Sequence, residues 1–166
     1  IDRNNYHTFF PLLYQVAAAE LGPSEIAYPV RSLFRRHPLV DFRRAKVHGI
    51  DLDARIVKAE GTRLQYDYLV MALGSMPNFF GVEWAARHAF PLRTMDDAIP
   101  LRYHVLNCFE RAAQMEDPSV RKSLLRFVIV GGGSAGVEYA GALAELIYGP
   151  LLKDFGNIAP DELDIR

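Results

Sequence analysis

Three glycines at fixed spacing, Gly131, Gly133 and Gly136, are the residues of this chain whose types and order point most directly to chemistry. They satisfy G-x-G-x-x-G, a pattern whose meaning depends on what flanks it. Gly131 permits a tight turn, Gly133 lets the backbone approach a pyrophosphate with no Cβ in the way, and Gly136 lets a helix lie close to the strand before it. The chemistry served is dinucleotide binding, with phosphates facing the unpaired N–H groups and positive dipole end of a new helix. A glycine-rich turn that binds nothing is the plain alternative, and context must separate the two.

The flanking elements supply that context. FVIV at 127–130 is a short β-branched run directly before the glycines, and Val137, Ala140, Leu143, Ala144 and Ile147 recur at helical spacing directly after them. The order strand, turn, helix favours the dinucleotide. A second candidate stands at the start, where Ile1-Asp2 reads as a strand end with Asp2 at the position of a ribose-binding acid in a Rossmann unit. A plain polar strand end is the alternative there, since no glycine turn precedes Asp2.

At 166 residues, half of them apolar, the chain is the size of one ordinary domain with a substantial core. Nineteen basic against twenty acidic residues remove the usual electrostatic case for nucleic acid, and Arg35-Arg36 and Arg43-Arg44 read as solvated faces. Cys108 is the single cysteine, which excludes an intrachain disulfide, a C-x-x-C pair and a cysteine-based zinc site, and fits a reducing compartment. No spacing supports a metal site, and no apolar run approaches the roughly eighteen residues of a membrane span. The opening IDRNNYH reads as the tail of a strand and the closing DELDIR as the start of another, so a central piece of a longer protein is expected.

Prolines divide the region after Asp2 into short helices, expected at 12–21 and 29–36, with Phe9, Phe10, Tyr14 and Phe34 as core and His7 and His37 at the surface. From 41 to 73 the period becomes two, an antiparallel meander that ends in a strand at 68–73 buried on both sides. A loop at 74–91 is anchored by Trp84. A helix over 95–115 follows, capped by Thr94 with Asp97, its stripe Ala98, Leu101, Val105, Phe109 and Ala112, and Pro100 predicting a late start or a kink. Polar residues at 116–123 connect it to the glycine turn. Gly149-Pro150 should end the next helix, Pro150 to Phe155 should add a turn, and Leu163-Asp164-Ile165 should begin a strand. The fold class is therefore α/β, Rossmann-like with an antiparallel β-meander and incomplete at both ends, divided at 93/94.

The runs IDRNNYHTF, PLLYQVA, IAYPVRSLF, YDYLVMALGSMPNFFGV, LRTMDDAIPLR and FVIVGGGSAGVEYAGALAELI, in that order over nearly the whole chain, resemble the flavin-dependent type II NADH dehydrogenases, also called NADH:quinone oxidoreductases. The resemblance implies a respiratory-chain flavoprotein in which NADH reduces FAD and the flavin passes electrons to a membrane quinone. Residues 1–93 would be part of the FAD domain and 94–166 the start of the NADH domain. Asp2 matches the acid on the FAD ribose, Arg3 lies beside the adenosine, and Val47 matches the strand residue whose backbone meets adenine. Ala72-Leu73-Gly74 matches the second flavin fingerprint, with Leu73 where threonine is usual. Gly131, Gly133 and Gly136 match the NADH pyrophosphate turn, and Glu138 a glutamate near the nicotinamide half, with a surface helix residue as its alternative. The first flavin glycine turn would precede Ile1. The NADH ribose acid, which chooses NAD over NADP, a later Gly-Asp flavin site and an amphipathic membrane segment would follow Arg166.

Hydride transfer between cofactors needs no side-chain acid or base, so no catalytic residue is assigned. Disulfide reductases and sulfide:quinone oxidoreductases need reactive cysteines, and none lies between Asp2 and Ala72. The leading reading is an NADH:quinone oxidoreductase, peripheral on the cytoplasmic face of the membrane, with a homodimer left open. A related flavoprotein that reduces a ferredoxin-type protein, and a nucleotide-binding module without turnover, are the rivals. The 166 residues alone are expected to show little catalysis.

Overall fold

The structure, a computed structural model, describes residues 1–166. Its first half holds strand β1 (Tyr6–Thr8), helices α1 (Leu13–Ala17) and α2 (Pro23–Ile26), strand β2 (Ala27–Pro29), helix α3 (Val30–Leu33) and strands β3 (Val47–Asp51), β4 (Ile56–Ala59) and β5 (Thr62–Gln65). The second half holds helices α4 (Glu83–His88), α5 (Met95–Ala113) and α6 (Pro118–Leu124), strand β6 (Arg126–Phe127), helix α7 (Ser134–Leu146), a wide π-type turn at Ile147–Leu151, helix α8 (Leu152–Asp154) and strand β7 (Asp164–Ile165). Two compact units result, Ile1–Thr8 with Ala27–Met76, and Phe9–Ile26 with Pro77–Arg166. No helix is long and apolar enough to cross a membrane.

In the first unit the expected meander is the antiparallel sheet β3-β4-β5, with Ile50 opposite Val57 and Val57 opposite Leu64. Alternation buries Val57 and Ala59 and turns Lys58 outward, 3.5 Å from Asp51. Gly61, at φ +68, supplies the left-handed residue of the β4-β5 turn. Asp2 forms a parallel bridge with Arg44, its N–H donating to the Arg43 carbonyl (3.1 Å) and its carbonyl accepting from Ala45 N–H (2.9 Å). Residues 68–73 depart from expectation. They lie outside every strand, and Tyr68, Val70, Met71 and Leu73 are exposed, because none of the unit's sheets extends to flank them. The helix expected over 29–36 shrinks to α3, with Pro29 at its cap; His37 precedes Pro38, which disfavours helical backbone there. Phe34 is exposed and meets His37 edge-on instead of joining a core.

The core of the second unit gathers on α5. Ala98, Val105, Phe109 and Ala112 are buried as the stripe predicts, with the Phe109 ring stacked on Phe127 at 6.4 Å and tilted against Phe155 at 5.6 Å. Asp97 accepts from the N–H groups of Thr94 (2.7 Å) and Arg93 (3.1 Å) and from the Thr94 hydroxyl (2.8 Å), which fixes the helix start. The helix starts at Met95 and runs through Pro100, so there is no late start; the missing proline N–H leaves the Asp96 carbonyl without its helical partner. Helix α1 packs on α5 and α7 but stops at Ala17, not at residue 21. Ala19 turns left-handed at φ +61, and the N–H groups of Glu20 and Leu21 fold back onto the Gln15 carbonyl.

Other expectations are corrected here as well. Phe9 and Phe10 are exposed, and Trp84 is an exposed residue of α4 tilted over His88, not an anchor. Residues 116–123 contain α6, started by Asp117, whose carboxylate accepts from Ser119 N–H at 2.8 Å. Gly149-Pro150 do not end the helix, because the wider turn accommodates the proline and buries Ile147 and Leu151 across it.

Candidate functional site

The glycine turn belongs to the second unit. Strands β6 and β7 pair in parallel, Arg126 with Asp164 and Phe127 with Ile165, and the ladder continues through Ile129 N–H to the Arg166 carbonyl (2.7 Å) and Arg166 N–H to the Phe127 carbonyl (3.0 Å). Helix α7 lies between them in sequence, so the unit is strand, turn, helix, parallel strand. Gly131 adopts φ +107, a conformation that L side chains rarely take. Gly133 is the extended residue before α7, with open space where a Cβ would stand. At Gly136 a Cβ would lie 2.3 Å from the Gly131 carbonyl oxygen, so only glycine allows this approach of helix to turn. The first-turn N–H groups of α7 have no carbonyl one turn back and are available to an anion.

Beside the turn lies an apolar hollow of about 290 Å³ lined by Ile129, Gly131, Gly136, Val137, Ala140 and Ile165, with Arg166 at its edge. This explains why the expected stripe of α7 is buried at Leu143 and Ile147 but open at its N-terminal end. Tyr139, Ala142 and Leu143 are buried, while Val137 is exposed and Ala140 half-buried. A helix with a helix on one side and strands on the other has two apolar faces, and period counting selects only one. Glu138 is exposed on α7. Its neighbour Tyr139 turns inward, its hydroxyl has no hydrogen-bond partner, and burial pushes the phenol up, so it stays neutral.

The other candidates lie in the first unit. Asp2 is exposed, and one carboxylate oxygen accepts from Asn4 N–H at 2.8 Å. Arg3 follows it, its carbonyl accepting from Arg44 Nε at 3.2 Å. Val47 opens β3, where the register slips before Gly49. Ala72, Leu73 and Gly74 lie in the extended stretch outside the sheets, with Gly74 at φ +72 and Leu73 exposed. The Asp2–Arg44 bridge brings Asp2 and Arg3 to the segment that runs into Val47; the stretch 72–74 is not part of that bridge. Sequence reasoning missed Arg44, Lys46 and Glu60, which line a polar hollow of about 340 Å³ with Arg3 and Ala45. The signal was three cations just before Val47, Arg43, Arg44 and Lys46, the first two of which read as a solvated face.

Cys108 is buried, 3.6 Å from His104 Nε2, and burial pushes its thiol up, so it is held as the thiol and not as a nucleophilic thiolate.

A family model described as pyridine nucleotide-disulphide oxidoreductase matches residues 1–150. The chain is 40% identical over 162 residues to the type II NADH:quinone oxidoreductase Ndh of Mycobacterium tuberculosis and 38% identical over 166 residues to NdhA of the same organism, matches that cover 95% and 98% of this chain. It is 31% identical over 173 residues to an external alternative NADH-ubiquinone oxidoreductase of Yarrowia lipolytica mitochondria. The chain spans 35%, 35% and 30% of these relatives, about a third of their length. NDH2 from Plasmodium falciparum, solved in complex with NADH, has the same fold, with a TM-score of 0.89 at 23% identity over 99% of this chain and 35% of that one. A sulfide:quinone oxidoreductase from Aquifex aeolicus aligns at 0.60 and 17% identity, over 99% of this chain and 43% of that one. The Rossmann-like α/β fold with a β-meander is thus the fold found.

Proposed function

This chain belongs to the pyridine nucleotide-disulphide oxidoreductase family, with type II NADH:quinone oxidoreductases among its relatives, and from that membership we propose that the whole protein oxidises NADH and reduces a membrane quinone. The observation that carries this is the closed approach of Gly136 to Gly131 between two parallel strands, a cradle that a Cβ would fill. Gly131, Gly133 and Gly136 hold the NADH pyrophosphate on the N-terminus of α7, and Glu138 faces the nicotinamide half. Asp2 binds the FAD ribose, Arg3 flanks the adenosine, the Val47 backbone meets adenine, and Ala72, Leu73 and Gly74 present backbone to the flavin half. Residues 1–93 contribute to the FAD domain and 94–166 to the NADH domain. FAD, when bound by these residues, would supply the redox chemistry that links NADH to quinone. The chain's own part is binding, orientation and the exclusion of water. The whole protein is peripheral, on the cytoplasmic face of the membrane, with no nucleic-acid partner.

The test is stopped-flow mixing of the full-length protein with NADH, followed by quinone or an iron-sulfur protein. Rapid bleaching of the flavin and faster re-oxidation by quinone are expected. Bound FAD that NADH never bleaches would sink the enzyme reading, and faster re-oxidation by the iron-sulfur protein would move the acceptor.

A further inference from the structure

Three cations, Arg3, Arg44 and Lys46, line one hollow of the first unit together with Ala45 and Glu60. Arg44 and Lys46 flank the buried Ala45 in the segment that bridges to Asp2, and both line the hollow together with Arg3. The site is tied together by backbone. Asp2 is bonded to Arg43 and Ala45, Glu60 N–H donates to the Lys46 carbonyl at 3.0 Å, and Arg44 Nε is pinned to the Arg3 carbonyl at 3.2 Å, which leaves its terminal nitrogens for another acceptor. The ion pairs of the chain involve Arg43, Lys58, Arg87, Arg121, Arg126 and Arg166, and none involves Arg3, Arg44 or Lys46, although Glu60 lines the same hollow. Like charges converging on one concavity repel each other, a cost that an anionic ligand removes. A carboxylate that binds ribose hydroxyls beside a diphosphate has the opposite need, because its own charge repels the phosphates.

Both needs are met by one arrangement. We propose that Arg44 and Lys46, with Arg3, form a cationic wall that attracts the adenosine-diphosphate half of FAD and holds it against Asp2. The wall rests on the reading of this family member as an FAD protein. Arg44 and Lys46 are positioning residues, since the chemistry belongs to the other half of the cofactor.

The test uses apoprotein of the full-length chain titrated with FAD and with FMN, which lacks the adenosine half. The double variant Arg44→Gln/Lys46→Gln is expected to weaken FAD binding about tenfold and to flatten its dependence on salt concentration, while FMN binding stays as in the wild type. Arg44→Lys with Lys46→Arg keeps the charges and should keep wild-type affinity and salt slope. Unchanged FAD affinity and salt slope in the glutamine variant would overturn the wall, as would equal losses for FAD and FMN. Wild-type apoprotein that takes up neither flavin would overturn the FAD reading and the wall with it, an outcome distinct from any difference between variants.

Discussion

The two units carry their candidate nucleotide sites in different materials. The first holds ten basic and six acidic residues, the second nine and fourteen, which together make the 19 and 20 of the whole chain. The acidic unit nevertheless carries the proposed phosphate cradle, and it is built of backbone: a turn at Gly131, an approach at Gly136 and the amide end of α7. Backbone dipoles act within the first turn of a helix, whereas spread side-chain charge is screened over about 10 Å, so net charge does not forbid an anion there. The basic unit offers side chains, with Arg3, Arg44 and Lys46 lining a hollow and Asp2 bridged through its backbone to Arg44. A backbone site is governed by stereochemistry and a side-chain site by charge, and the two should fail differently.

The largest effect is expected from Gly136→Ala. Its Cβ would meet a carbonyl oxygen, not the mobile end of a side chain, so turn and helix must separate. Stability should fall by about 3 kcal/mol, and NADH affinity by more than about tenfold, with FAD affinity untouched. Gly131→Ala sharpens the point, since its Cβ meets nothing and only the φ of +107 opposes it. A cost of about 1–3 kcal/mol is expected there. Thermal melts and NADH titrations decide both, and a Gly136→Ala protein as stable as wild type would break the stereochemical half of the comparison.

Asp2→Asn addresses the other half. The amide oxygen can still accept from Asn4 N–H, so the local turn survives and the change is one of charge. FAD affinity should weaken by about 1–2 kcal/mol, with NADH affinity unchanged. Equal losses at both cofactors in equilibrium titrations would mean that the sites are not separable.

That contrast also explains what could be read in advance. The glycine turn and the Thr94–Asp97 cap were legible because each is set by residues within a few positions, and only certain types satisfy them. The meander was legible from its alternation. The proposed cationic wall was not, because Arg3 stands apart in sequence from Arg44 and Lys46, in a segment joined to theirs by the Asp2–Arg44 bridge. The run at 68–73 misled for a related reason, since apolar content specifies burial only where other strands exist to provide it.

Asp97→Ala tests whether the frame of the second unit is independent of its cradle. It removes the acceptor for two backbone N–H groups and a hydroxyl at the start of α5, and about 1–2 kcal/mol of stability should be lost. NADH affinity, measured below the melting point, should not move. A parallel loss of affinity would join the cap to the cradle.

The smallest expected effect is the response of the same frame to acid. Glu162 is held below its ordinary pKa by the Ala159 N–H and by Arg121, and Asp164 by Arg166 and Arg126. A carboxyl lowered in the folded state stabilises above its unfolded pKa, and that contribution disappears as pH falls through the lowered folded value. The Glu162 share is about 1 kcal/mol or less, because the pair is near the surface. Melting temperature should therefore be flat near neutrality and decline below the ordinary values of 4.5 for Glu162 and 3.8 for Asp164. Glu162→Gln should melt lower at neutral pH and lose less on acidification, converging on wild type in acid. Melting curves of the two proteins that stay parallel across the acid range would remove Glu162 from the pH response and leave it to Asp164, whose arginine partners stand on the strands that flank the glycine turn.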